Sequence, residues 1–197
     1  MWAKQSYVRC MQQVIILYRK VKSKKKQALT TTWTTYLKSQ GRVMASGKVV
    51  VITGCSRGVG LGLVQEYAKR GWQVVATCRS PEKADQLKSI AQDRPDMKVF
   101  ACDISTDESI TTCVSAIRSS GISKVDLLIN NAGVSNRDHP DDPASTTDRT
   151  EFNSIFNTNV AGPLSVTKAM AGLLEASSHP VVINISSLLG SISSSSR

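Results

Sequence analysis

A chain of 197 residues, 41% hydrophobic and 20% charged, can build one domain with its own core and is ordinary in composition for a globular α/β protein. Its net charge of +10 belongs to one end: residues 1–47 hold ten of the 25 Lys and Arg and none of the 15 Asp and Glu, so the rest is neutral and implies no nucleic-acid surface. The five cysteines are odd in number and lack CxxC spacing, which argues for a reducing compartment and against a metal site, and no apolar run approaches the ~18 residues of a membrane span.

Residues 1–43 form a basic extension. Val8, Met11, Ile15 and Tyr18 share a face, so the spacing predicts a helix over 7–22, flanked by Arg9, Arg19 and Lys20. Lys24-Lys25-Lys26 resembles an import patch or a solvated charge run. A mitochondrial transit peptide, a disordered segment and a stretch upstream of a native start at Met44 all fit this composition. The expected location is cytoplasmic, or mitochondrial if residues 1–43 are a transit peptide.

From Lys48 onward, strands and helices alternate. Val49-Val50-Val51-Ile52 is a short apolar run, as for a parallel strand buried on both faces. A helix over 59–70 ends at Gly71. A strand over 73–78 precedes a helix over 81–92 with Pro81 in its first turn. A third strand over 98–102, a helix over 106–119 and a fourth strand over 125–129 follow. A long helix over 147–177, interrupted at Pro163, leads to a fifth strand over 181–185. This order predicts an α/β fold: a Rossmann-type doubly wound parallel sheet with helices on both faces, occupying 44–190. Residues 191–197 are a Ser-rich tail.

Thr53-Gly54-Cys55-Ser56-Arg57-Gly58-Val59-Gly60 joins the first strand to the first helix. Glycines there let the backbone turn tightly and approach a pyrophosphate, and the helix start offers free N–H groups to an anion. The TGxxxGxG spacing resembles the fingerprint of the short-chain dehydrogenases/reductases. Further features follow in that family's order: Asp103 after the third strand, Asn130-Asn131-Ala132-Gly133 after the fourth, Asn159 in the long helix, and Asn184-Ile185-Ser186-Ser187-Leu188-Leu189-Gly190 ending the fifth strand. The match spans 48–190 and in wording is most similar to carbonyl reductases of the C-factor or sniffer type.

The resemblance implies a site for a nicotinamide dinucleotide built from Thr53, Gly54, Ser56, Arg57, Gly58, Val59, Gly60, Arg79, Asp103, Asn130, Ala132 and Gly133. The second strand ends Thr77-Cys78-Arg79-Ser80, without the acid that would bond the ribose hydroxyls of NAD. Arg79 and Arg57 are cations suited to a 2′-phosphate, so NADP(H) is the expected cofactor. In the family a Ser, a Tyr and a Lys act on a carbonyl or alcohol while an Asn holds the relay. Ser187, followed by Gly190, matches the Ser, and Asn159 matches the Asn.

No Tyr-x-x-x-Lys follows Ser187; Tyr18 and Lys22 have the spacing but lie in the basic extension before the first strand and read as coincidence. Only ten residues follow Ser187 and none is Tyr or Lys; the tyrosines are Tyr7, Tyr18, Tyr36 and Tyr67. The expectation is therefore a fragment, lacking the last strands and helices of the family fold and inactive alone. Its parent activity would be NADP(H)-dependent carbonyl reduction or alcohol oxidation on a small molecule, with homo-oligomerisation open. A non-catalytic nucleotide-binding or interaction protein is the alternative. The fifth strand would be an exposed, aggregation-prone edge. His139 and His179 stand alone, and Asp138, Asp141 and Asp142 read as a solvent-facing loop.

Overall fold

The computed structural model describes residues 16–18, 47–135 and 148–187. In chain order the elements are β1 (Ile16–Tyr18), β2 (Val49–Thr53), α1 (Gly58–Lys69), β3 (Gln73–Cys78), α2 (Asp85–Gln92), β4 (Lys98–Ala101), α3 (Asp107–Ser119), β5 (Leu127–Asn130), α4 (Arg149–Phe156), α5 (Gly162–Ala169), α6 (Ala171–Glu175) and β6 (Val181–Ser187). Every strand pair is parallel, and the order across the sheet is β1-β6-β5-β2-β3-β4.

Why helices cover both faces follows from the two-residue period of a strand. On β2, Val49 and Val51 point to one side, where Ile110, Cys113 and Ile117 of α3 and Val166 of α5 meet them. Val50 and Ile52 point to the other, against Val64 and Tyr67 of α1 and Leu87 of α2. Val50, Val51 and Ile52 are wholly buried, so each side chain contributes about 1.5–3 kcal/mol of burial. A strand apolar on both faces needs a layer on each, hence the doubly wound architecture.

Four departures from the sequence expectation have a local reason; elsewhere bounds move by one or two residues, the fifth strand running on to Ser187. The second helix opens as a 3-10 turn, Pro81–Lys83, before α2 begins at Asp85. The fourth strand starts two positions late because the Val125 N–H donates to the Leu173 carbonyl at 2.8 Å, tying it to α6 instead of the sheet. The long helix is interrupted by a π-helical turn, Asn157–Ala161, with Gly162 N–H bonding back to Asn157 O. Pro163 sits in the first turn of α5, where its missing N–H costs little. Gly162 allows the close pass over the α3 side: a Cβ there would lie 2.7 Å from the Ile104 carbonyl oxygen.

The fourth departure concerns the sheet edge. The helix expected over 7–22 gives way at Ile16–Tyr18 to a strand, paired in parallel with Ile185, Ser186 and Ser187. An open edge offers unpaired N–H and C=O groups, and an extended apolar tripeptide satisfies them as a helix would not. Among the described residues the upstream half of β6 has no such neighbour on that edge, and Val181 remains 48% exposed. The rest of the basic extension, residues 136–147 with His139, Asp138, Asp141 and Asp142, and residues 188–197 with Gly190 and the Ser-rich tail lie outside the described residues.

Asp126 pins the sheet at the end opposite the strand C-termini. Its Oδ2 accepts the Val49 N–H at 2.8 Å and its Oδ1 accepts the Ser177 hydroxyl at 2.6 Å, with Lys124 also in contact. Burial works to raise its pKa, but bonds from Ser177 and Val49 and the Lys124 charge outweigh that and hold the carboxyl below the ordinary range.

Candidate functional site

Parallel strands end on one side, so the loops after β2, β3, β4 and β5 converge there. They line a cleft of about 870 Å3, closed on its far side by residues of α4 and the π turn. Gly54, Ser56, Arg57, Gly58, Val59, Gly60, Arg79, Asp103, Ala132 and Gly133 all face it. It is also lined by residues that motif reading did not single out, among them Cys102, Ile104, Ser105, Glu151 and Asn157.

The turn after β2 requires its glycines. Gly54 has φ +73°, and a Cβ there would sit 2.7 Å from Ala132 Cα. At Gly60 a Cβ would come within 2.2 Å of the Gly54 carbonyl oxygen and 2.6 Å of Asn131 Nδ2. Gly58, with φ +62°, has nothing within 4 Å of its Cβ position, so its bare backbone faces open cleft. Arg57 occupies the N-cap of α1 and makes no side-chain capping bond, leaving first-turn N–H groups available. Open space, uncapped N–H groups and the positive end of a helix fit a pyrophosphate.

Two residues expected at the cofactor stand behind the cleft wall instead. Thr53 is 2% exposed, and its Oγ1 accepts the N–H groups of Asn131 and Ala132, both at 3.0 Å. Asn131 answers by donating from Nδ2 to the Thr53 carbonyl at 2.8 Å. Asn130 is buried, and its amide donates to Thr167 Oγ1 at 3.1 Å and Asn184 Oδ1 at 2.9 Å, joining β5 to α5 and β6. A strand's alternation turns these side chains away from the cleft while their neighbours face it.

On the β3–β4 side, Arg57 and Arg79 are exposed side chains lining the same cleft, with no ion-pair partner among the described residues. Asp103 Oδ1 accepts the Ser105 N–H at 2.9 Å and its hydroxyl at 2.7 Å. Burial favours its neutral form, but the Ser105 bonds and the Arg79 charge prevail and lower its pKa. Asn157 Nδ2 donates to the Ser105 carbonyl at 2.8 Å, fastening this wall to the long helix.

Asn159 acts as a clamp: Oδ1 accepts the Val134 N–H at 2.8 Å and Nδ2 donates to the Val134 carbonyl at 2.7 Å. Its side chain is spent on the loop after Gly133, where a Cβ would lie 3.3 Å from Asn159 Oδ1. Ser186 lines the cleft, and Ser187 is the last residue of β6. Among the described residues, no three His, Cys, Asp or Glu side chains are placed to hold a metal, and no helix is long and apolar enough to cross a membrane.

Residues 48–196 match the short chain dehydrogenase family. The chain belongs to that family, a family of NAD(P)-binding oxidoreductases. It is 30% identical over 142 residues to the sulfoacetaldehyde reductase of Chromohalobacter salexigens, covering 72% of this chain and 54% of that protein. Among solved structures it resembles the NADPH-bound carbonyl reductase from chicken fatty liver, at 28% identity and TM-score 0.68, over 75% of this chain and 60% of that one. It is also similar to the carbonyl reductase Sniffer of D. melanogaster, at 27% identity and TM-score 0.68, over 76% and 65% of the two chains. The short-chain dehydrogenase chain described here thus spans between about half and two-thirds of the length of these relatives.

Proposed function

We propose that this short-chain dehydrogenase chain provides the NADP(H) site of an oxidoreductase that reduces small carbonyl compounds or oxidises the corresponding alcohols. The observation that carries the cofactor choice is the pair Arg57 and Arg79 on one cleft, at the end of a β3 that bears no acid. A 2′-phosphate between two guanidiniums gains charge-assisted bonds, whereas NAD would find no carboxylate at the end of β3 to accept its ribose hydroxyls. The carbonyl reductases among the similar structures support this reading, one being NADPH-bound.

When bound, the nicotinamide supplies the hydride. The chain's own residues bind and orient. Gly58 and the start of α1 hold the pyrophosphate, and Asp103, fixed by Ser105, faces the adenine side. The Asn131–Thr53 latch and the Asn159 clamp hold the loop from Asn131 to Val134 in place. Ser187 would orient the substrate oxygen, as its place in the family pattern implies. The nucleotide-binding unit is 44–190, and of the extension of residues 1–43 the strand Ile16–Tyr18 pairs with its strand β6; the setting is cytoplasmic, or mitochondrial if residues 1–43 are a transit peptide.

Fluorescence titration with NADPH and NADH tests the cofactor assignment. NADPH binds more tightly, and Arg79→Asp removes most of the difference by deleting an ion pair of about 1.5–3 kcal/mol. Equal affinities for the two nucleotides in the parent chain would refute it.

A further inference from the structure

The loop that carries Asp103 is held from two sides. From its own helix, Ser109 Oγ accepts the Asp103 N–H at 2.8 Å, and Thr106, the N-cap of α3, accepts the Ser109 N–H. From across the cleft comes one side chain: Asn157, at the start of the π turn, donates from Nδ2 to the Ser105 carbonyl at 2.8 Å. Ser105 in turn gives both its N–H and its hydroxyl to Asp103 Oδ1, at 2.9 and 2.7 Å. Residue 105 is thus gripped at its carbonyl by Asn157 and grips the carboxylate with its other two polar groups. Both bonds go to Oδ1, so among the described residues Asp103 Oδ2 is left without a partner.

The π turn spans the cleft from wall to wall. Residues two apart on a helix do not face the same way, and Asn157 and Asn159 take opposite walls: Ser105 after β4 and Val134 after β5. At Gly162 the helix leaves no room for a Cβ beside the Ile104 carbonyl. The loop therefore already lies against the helix there, and the Asn157 bond fixes how its next residue is turned. Asn157 is itself an exposed side chain on the cleft, so changing it removes a bond without opening the core.

We propose that Asn157 is a positioning residue for the adenine end of the cleft: by holding the Ser105 carbonyl, it sets the Asp103 carboxylate where the nucleotide meets it. The inference rests on the nucleotide reading above. It requires Asn157 to act through Asp103, and at the adenine end of the ligand only. A residue that merely stiffened the helix would meet neither condition.

The test titrates NADPH and adenosine 2′,5′-bisphosphate into the full chain, by fluorescence and by calorimetry. Asn157→Leu keeps the size of the side chain and is the better helix former, so it removes the donor without threatening the fold. NADPH affinity falls about three- to tenfold, the size of one hydrogen bond. Affinity for the bisphosphate falls by the same factor, because the two ligands share the adenine end. Asn157→Gln, which keeps the amide donor, stays within about twofold of the parent. In an Asp103→Ala background, adding Asn157→Leu costs less than about twofold more, as for two residues in one bonded chain. Should Asp103→Ala bind neither ligand, the contrast of Leu with Gln and the equal loss on the two ligands decide alone. An unchanged Kd in Asn157→Leu overturns the inference, and so does a Gln variant as weak as the Leu variant. A loss on NADPH that the bisphosphate does not share, or a full loss in the Asp103→Ala background, overturns it as well. A parent chain that binds neither ligand overturns the functional reading and this inference with it, whereas a parent that binds both while Asn157→Leu binds equally well overturns this inference alone.

Discussion

Thr53→Val asks whether the cleft wall is held by one hydroxyl. Valine keeps the branched shape at a site 2% exposed but cannot accept the N–H groups of Asn131 and Ala132, both 3.0 Å from Oγ1. A buried N–H left without a partner costs about 1–3 kcal/mol. Two of them, partly relieved by loop relaxation, should cost about 2–4 kcal/mol, a large share of the roughly 5–15 kcal/mol that holds a domain. With a urea m-value of about 2 kcal/mol/M, the unfolding midpoint should fall by about 1–2 M. Thr53→Ser is the control: it keeps the acceptor, loses one methyl, and should cost about 1 kcal/mol. NADPH affinity should fall with valine and hold with serine, because the released backbone is the cleft wall itself. A valine variant within about 0.5 kcal/mol of the serine variant would refute the latch, since that margin is the scatter of neutral surface changes.

Gly60→Ala should abolish NADPH binding and destabilise the chain by about 1–3 kcal/mol, because its Cβ would meet backbone oxygen at 2.2 Å; thermal unfolding and titration check both. Asp126, whose pKa is lowered from 3.8 in the folded chain, contributes stability that is complete above about pH 4 and is lost as pH falls through the lower folded value. Asp126→Asn should therefore lower stability at neutral pH by about 1–3 kcal/mol and flatten the acid limb of a urea-midpoint-against-pH curve. Phe152, Phe156, Val160 and Leu164 form an exposed apolar stripe at four-residue spacing. Phe156→Glu with Leu164→Glu should leave the melting temperature within about 2 °C in a thermal scan, because both side chains stand mostly in solvent.

The sheet was legible because its inner strands β2, β3 and β5 are buried along nearly their whole length, on both faces. Gln73–Cys78 has the same bounds in sequence and structure, since it is flanked by Gly71 and the Pro81 turn. Where tertiary bonds outcompete local pattern, the reading shifts. Val125 looks like strand by composition, but its N–H goes to Leu173, a partner 48 positions away that no local window contains. The π turn is hinted at only by the weak helix formers Asn157, Thr158, Asn159 and Val160, and the close pass of Gly162 over Ile104 is a tertiary contact that no local window contains. The extension shows the limit of periodicity, since a helical face drawn over 7–22 does not reveal that Ile16–Tyr18 has a sheet edge within reach.

The site divides along a different line. Residues that face a ligand have signatures because their chemistry is unusual for their position, such as glycine at a helix start or arginine where an acid is common. Residues that hold those in place look ordinary. Thr53 is a β-branched residue ending a β-strand, and nothing in that context separates a packed methyl from a hydroxyl carrying two backbone N–H groups. Asn131 lies inside a recognisable four-residue run, yet the run does not say that one Asn turns toward Thr53 while its neighbour Asn130 turns toward Thr167 and Asn184. Strand alternation supplies that answer once β5 is known to end at Asn130. The Gly60 clash makes the same point from the other side: the glycine is needed as much for the Gly54 carbonyl and the Asn131 amide as for a phosphate. The fingerprint thus encodes two demands at once, an anion site on its outer face and a close-packed junction of β2, α1 and β5 behind it. A substitution that spares the first can still destroy binding through the second.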